Sequence, residues 1–224
     1  MREPTQSEII NSVNQGIIKA QEDYREAYMS NISSGYAPEY LMTVYIFQSI
    51  LELKRKCNYP YGLSLEEPVY EVARALGVRG RFPRDARVSG YCDLLLRDIH
   101  DKPRVVIEIK KDAWDYWHDL ARLAYLVSRG LEFGIFASCW FEEVKDNNRR
   151  EAEDRVREEI QCIEEHISDD IRRRYSRVFM KTKFGDTERL VLEGEVARHE
   201  EFVWCPVCFV VCREGEVANT PRQY

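Results

Sequence analysis

Apolar and polar positions alternate along residues 105–110, with Val105, Ile107 and Ile109 on one face and Val106, Glu108 and Lys110 on the other, the period-two signature of a β-strand. Residues 91–97 read as its antiparallel partner, across a polar turn at His100, Asp101, Lys102 and Pro103, where the proline has no N–H to give to a ladder. A hairpin folded symmetrically about the His100–Asp101 bond sets Asp93 directly across from Glu108. Directly opposed Cβ atoms lie about 4.5–5.5 Å apart.

Helical spacing dominates the flanks. Ile10, Val13, Ile17, Tyr24 and Tyr28 form one stripe behind a Thr5-Gln6-Ser7-Glu8 capping box, which predicts a helix over 5–28. Pro38 opens a second helix reaching about Lys56 and carrying Leu41, Val44, Tyr45, Ile50 and Leu51. After a turn at 58–62, Ser64-Leu65-Glu66-Glu67 has the form of another capping box, and Leu65, Val69, Val72, Ala73 and Leu76 predict a helix that ends at Gly77. Residues 84–90 read as a short strand ahead of the hairpin. Beyond the hairpin, 112–129 is helical, with Trp117, Leu120, Ala124 and Val127 buried and Asp115, Asp119 and Arg122 on a more polar side. Residues 131–141 form a near-continuous apolar run, as in a strand covered on both faces. A long charged helix follows at 149–175, its narrow stripe of Val156, Ile160, Ile163, Ile167 and Ile171 suited to docking on the domain or to pairing with a second copy. Strands at 177–183, 189–195 and 202–213 close the pattern.

Composition narrows the class. A chain of 224 residues with 44% hydrophobic and 32% charged residues can bury a full core. It contains no apolar run long enough for a membrane span and no apolar signal region at residues 1–8, so a cytoplasmic protein is expected. Seven cysteines, several within apolar strands or helices, indicate reduced thiols rather than a disulfide scaffold. The net charge of −6 excludes a broad basic coat for nucleic acid but not a local groove. Arg79, Arg81, Arg84 and Arg87 form one basic cluster, and Arg172, Arg173, Arg174, Arg177, Lys181 and Lys183 another; each suits a phosphate backbone or a solvated face paired with nearby acids.

Two opposed carboxylates repel unless a cation lies between them, and Mg²⁺ commonly takes one or two carboxylates with water and phosphate oxygens. Lys110, one side-chain step along from Glu108, adds a cation able to orient water or stabilise a charged phosphate. Asp93 in Gly-Tyr-Cys-Asp-Leu-Leu-Leu, together with Glu108-Ile109-Lys110, resembles the PD-(D/E)XK nuclease superfamily, the restriction-endonuclease-like fold. One departure is that Cys92 stands where the motif's proline precedes the aspartate. The resemblance implies an α/β (α+β) protein with an α-β-β-β-α-β core over about 65–141. Residues 1–57 would be a helical region packed on a nuclease-like core at 58–145, and 146–224 a helix-and-strand extension of the same domain. It implies a nuclease dependent on Mg²⁺ or Mn²⁺, cutting phosphodiester bonds in DNA before RNA. Asp93, Glu108 and the Ile109 carbonyl would hold the metal, and Lys110 would position or activate water.

The family often adds an acid from its first core helix. By face, Glu66 is the choice here, with Glu67 and Glu71 further round. Trp114, Trp117 and His118 are candidates for substrate contact from the helix that follows the motif. A homodimer would suit cleavage of both strands of a duplex. The alternative, from a different class, is a catalytically inactive domain of the same fold that binds nucleic acid or protein. Trp204-Cys205-Pro206-Val207-Cys208, with Cys212, admits a zinc or dithiol reading, but its strand-like flanks favour core cysteines.

Overall fold

The computed structural model describes residues 2–27, 37–60, 62–80, 82–86, 89–111, 116–145, 148–175, 177–184, 188–193 and 199–214. Helices α1 (Gln6–Ala27) and α2 (Glu39–Cys57) lead into strand β1 (Leu63–Pro68) and a short helix α3 (Val69–Ala75). Strands β2 (Tyr91–Arg97) and β3 (Pro103–Lys110), helix α4 (Trp117–Ser128) and strand β4 (Phe133–Glu143) follow. Helix α5 (Arg149–Arg174) then precedes β5 (Val178–Phe184), β6 (Glu188–Glu193) and β7 (His199–Arg213). The result is an α/β protein in which one mixed sheet takes the order β1-β2-β3-β4-β7-β5, with β6 also on β7. β3 and β4 are parallel, joined by the α4 crossover, and the other pairings are antiparallel. The C-terminal residues thus belong to the same sheet as the hairpin, because β7 lies between β4 and the β5 and β6 edge.

Strand alternation divides the core into two layers. Leu94, Leu96, Val105, Ile107, Ile109 and Ile135 face α1 and α2. Leu95, Val106, Phe136, Phe209 and Val211 face α3, α4 and α5. Each fully buried Ile, Leu or Phe contributes about 1.5–3 kcal/mol of transfer free energy. α5 lays Val156, Ile160, Ile167 and Ile171 on this second layer, so its narrow stripe docks within the chain. It also covers the outer edge of β5, where the Thr182 N–H donates to Glu164 at 3.1 Å and the Ser168 hydroxyl to the Met180 carbonyl at 3.5 Å. Cys92, Cys139, Cys205, Cys208 and Cys212 are buried and unbridged, as expected for cysteines in core strands.

Two expectations are corrected. The helix read over 65–76 is β1 followed by α3: Pro68 cannot sit inside a helix, and Leu63, Ser64, Leu65, Glu67 and Pro68 instead pair with β2. The strand read over 84–90 is a single 3₁₀ turn at Arg84–Ala86, with Arg87 and Val88 outside the described residues. β1, which folds back onto β2, takes the place that strand was expected to fill.

The approach of α4 to β4 is fixed by Gly134, where an added Cβ would come within 2.8 Å of Leu123 Cδ2 and 2.9 Å of Leu123 Cβ. Gly134→Ala is therefore expected to destabilise the protein by about 1–3 kcal/mol through overpacking, and Leu123→Ala to cost less in that background than in the wild type, both read from urea unfolding. At the start of α1 the capping box forms: the Thr5 N–H donates to Glu8 at 2.9 Å and the Glu8 N–H to the Thr5 hydroxyl at 3.2 Å. Arg2 and these Thr5 groups hold the Glu8 carboxyl down at about 2, so its stabilisation is complete above about 4.5 and lost as pH falls toward 2. Melting temperatures across that range should fall less steeply in Glu8→Gln than in the wild type.

Candidate functional site

The β2–β3 hairpin closes at Asp98, whose side chain accepts the N–H groups of His100 and Lys102 at 2.8 and 2.9 Å. Leu94, Leu95 and Leu96 pair with Ile107, Val106 and Val105, and a bulge shifts the register only at Arg97. That is the register the sequence pattern predicts, but the pairing ends at Leu94–Ile107, one step short of Asp93 and Glu108. Asp93 Oδ2 accepts the Ile109 N–H at 2.6 Å, which anchors the carboxylate across the strand pair. Glu108 is buried and meets Arg122 Nη1 from α4 at 2.7 Å. Lys110, at the end of β3, has its Nζ 3.3 Å from Glu39 and 3.8 Å from Asp119. Arg122 also lies 3.2 Å from Asp119 and donates to the main-chain carbonyls of Ala86 and Tyr91, each at 3.3 Å.

Four carboxylates and two cations from α2, β2, β3 and α4 are thus gathered where β3 ends and α4 begins. Burial pushes the Glu108 carboxyl up to about 8, against the downward pull of Arg122 and aided by Asp93 and Asp119. Burial also raises Asp93, against the Ile109 N–H and Lys110. For Lys110, burial works to lower the ammonium pKa, but Asp119, Asp93 and Glu39 outweigh it and the net direction is upward. Lys110 therefore stays protonated at neutral pH and serves as a hydrogen-bond donor and point charge, not as a base.

Glu66 does not join this group. It is exposed on β1 with φ 52°, at the position across from Asp93 where the β1–β2 pairing is interrupted. The carboxylates that weigh most on Asp93 are Glu39 and Asp119. Glu67 pairs with Arg97 at 2.8 Å, and Glu71 with Arg74 at 3.4 Å. Asp119 and Arg122, expected on the polar side of their helix, are buried at the site. Their i, i+3 spacing on the helix just after the Glu-x-Lys strand was the available signal. Glu39 was signalled only by its place after Pro38, at the first turn of a helix.

Trp117 packs partly buried under the Arg174 guanidinium, 4.9 Å from its ring, while Trp114 lies outside the described residues. In the second basic cluster Arg173 also pairs with Asp170 at 2.7 Å, and Lys181 donates to Gln6 at 2.8 Å.

No protein-family model, curated protein or solved structure matches the chain. Among the described residues no helix is long and apolar enough to cross a membrane.

The donor set suits a hard divalent cation. It consists of oxygens, its carboxylates outnumber its cations, and burial opposes the ionised forms of Asp93 and Glu108. Ser138, the residue paired with Lys110 in the β3–β4 register, has a buried hydroxyl with no hydrogen-bond partner among the described residues. Three acidic, histidine or cysteine side chains do not converge as a ligand cluster among the described residues. A pair of carboxylates with a main-chain carbonyl, completed by water and phosphate oxygens, requires no such cluster.

Removing Arg122 leaves Glu108 buried without its cation and Asp119 with Lys110 alone. Arg122→Ala should cost about 3–5 kcal/mol in urea unfolding, and Glu108→Gln added to it should recover part of the loss.

Proposed function

We propose that this protein is a metal-dependent nuclease of the restriction-endonuclease-like fold, hydrolysing phosphodiester bonds in nucleic acid, DNA before RNA. The observation that carries this reading is the meeting of three side chains where β2 begins and β3 ends: the paired register runs to Leu94–Ile107, Asp93 just beyond it accepts the Ile109 N–H, and Glu108 and Lys110 lie on the same strand. The chain order supports it as well: α2, β1, β2, β3, α4 and β4 follow one another as α-β-β-β-α-β, with α2 where 65–76 was expected to be the first core helix and α3 inserted after β1. In that order Glu39, on α2, takes the place assigned to Glu66.

Asp93, Glu108 and the Ile109 carbonyl would hold Mg²⁺ or Mn²⁺. Such an ion lowers the pKa of a bound water and polarises a phosphoryl oxygen. The chain's own residues set the frame around it. Asp93 is fixed by the Ile109 N–H, which leaves its second oxygen for a ligand. Glu108 is held by Arg122, which must yield part of its contact when Glu108 takes up a cation. Lys110, a donor with three N–H bonds, would exchange Glu39 for a phosphate oxygen and stabilise the charge that grows there in the transition state.

A second reading is favoured by one observation: Glu108 and Asp119 already face Arg122, and Glu39 faces Lys110, so the cluster neutralises itself much as a structural core would. On that reading the protein is a catalytically inactive module that binds nucleic acid or protein.

Turnover separates the two. Circular, linear duplex and single-stranded DNA, and RNA, are incubated with the protein in Mg²⁺, Mn²⁺ or EDTA. Metal-dependent cleavage is expected in the wild type. It should fall by about 10²–10³-fold in Lys110→Ala and in Asp93→Asn, with circular dichroism unchanged. Cleavage that survives both substitutions would remove the site assignment, and binding without cleavage in either metal would favour the inactive module.

A further inference from the structure

Six large apolar side chains stand exposed among the described residues: Tyr40, Val44, Leu65, Tyr70, Tyr91 and Ile99. Scattered singly, such residues require no explanation. The three tyrosines, however, are tied to the elements that build the candidate site. Tyr40, 70% exposed, is the residue next to Glu39, whose carboxylate is on Lys110. Tyr91, 61% exposed, lies two residues before Asp93, and its carbonyl is held by Arg122. Tyr70 stands at the start of α3, just past Pro68, the residue paired with Tyr91, and the Val69 N–H donates to the Gly90 carbonyl at 3.1 Å.

Charge marks the same stretch. Between Tyr70 and Tyr91 the sequence has five arginines, Arg74, Arg79, Arg81, Arg84 and Arg87, against two acids, Glu71 and Asp85, within a chain whose total is −6. Arg74, Arg79 and Arg84 are exposed, and the Arg74 guanidinium lies 6.0 Å from the Tyr70 ring centroid. The Arg122–Ala86 contact holds the turn containing Arg84 beside Glu108. Along the chain, exposed tyrosines thus bracket a run of arginines, and the second of them lies two residues before Asp93.

We propose that Tyr70 and Tyr91, with Arg74, Arg79 and Arg84, form a stacking track that delivers a nucleic-acid strand with unpaired bases to the Asp93–Glu108–Lys110 site, with Tyr40 at its border. This inference rests on the nuclease reading and names its substrate as single-stranded nucleic acid or a single-stranded end. A duplex hides its base faces within its own stack, so exposed tyrosine rings meet only its edges. Unpaired bases offer faces to each ring, while the arginines follow the phosphates. In an acidic protein, stacking also supplies affinity that a broad positive surface cannot.

The test is fluorescence anisotropy of the full chain in EDTA, with probes compared at one common salt concentration and the arginine variants titrated across a salt series, using labelled 20-nucleotide single-stranded DNA, single-stranded RNA and a blunt DNA duplex of the same sequence. Single strands should bind at least about ten-fold tighter than the duplex. Tyr91→Leu and Tyr70→Leu should each weaken single-strand binding by about ten-fold while the Phe variants retain it, and Arg79→Gln with Arg84→Gln should flatten the salt dependence. Comparison of DNA with RNA identifies which strand is preferred, and either preference supports the track. Duplex binding as tight as single-strand binding, unchanged affinity in both leucine variants, or no binding to any of the three probes would overturn it. Metal-dependent cleavage of duplex DNA that is indifferent to Tyr70 and Tyr91 would overturn the track alone and leave the nuclease standing. Tight single-strand binding lost in the leucine variants, without cleavage in any metal, would retain the track and remove the nuclease.

Discussion

The Arg122 guanidinium is the contact on which the site depends. It reaches Glu108 on β3, Asp119 on its own helix, the Ala86 carbonyl in the 3₁₀ turn and the Tyr91 carbonyl at the start of β2. A buried guanidinium is tolerable only when its donors are met, and a buried carboxylate only when a cation or several donors face it. Each desolvated charge here therefore requires the others, and the geometry of four separate chain segments becomes one constraint. Leu123, the next residue along α4, packs on Gly134 and fixes how deeply that helix, and with it Arg122, can settle.

This arrangement explains why the cluster carries acids in excess of bases without flying apart. Glu39 and Lys110 are partly open to solvent, where water screens their charges, whereas Glu108 and Arg122 are closed off and pair directly. The site thus has a dry inner half that sets its shape and a wet outer half that can exchange partners. Lys110 stands at the boundary, and the alternation of β3 puts it there: the same strand parity that buries Glu108 carries the next residue on that face to the sheet's end.

Much of this was legible because the hairpin obeys local rules. The period-two pattern of 105–110 and the turn residues set the register of Leu94–Leu96 against Val105–Ile107, which brings Asp93 to the end of β3 where it accepts the Ile109 N–H. The capping box at Thr5 was equally local and formed. Ser64-Leu65-Glu66-Glu67 has the same local form, yet pairing with β2 overrode it, which no local pattern announces. Glu39 was hidden for a related reason, since only tertiary folding brings the start of α2 to the end of β3. Asp119 and Arg122 were read only as a more polar side of their helix; pairing of Arg122 with both Asp119 and Glu108 is what permits their burial.

The position of β7 has a consequence for how the chain comes to be folded. The final described strand is not an edge: it inserts between β4 on one side and β5 and β6 on the other, and eleven of its residues pair with β4. During synthesis β4 must wait, with one side unpaired and rich in apolar residues, until residues 199–213 have left the ribosome. Such long-range closure is slow and leaves a sticky edge in the interim. The middle of the sheet is therefore closed only once residues 199–213 have been made, and a product that stops before them would lack the strand that joins β4 to β5 and β6.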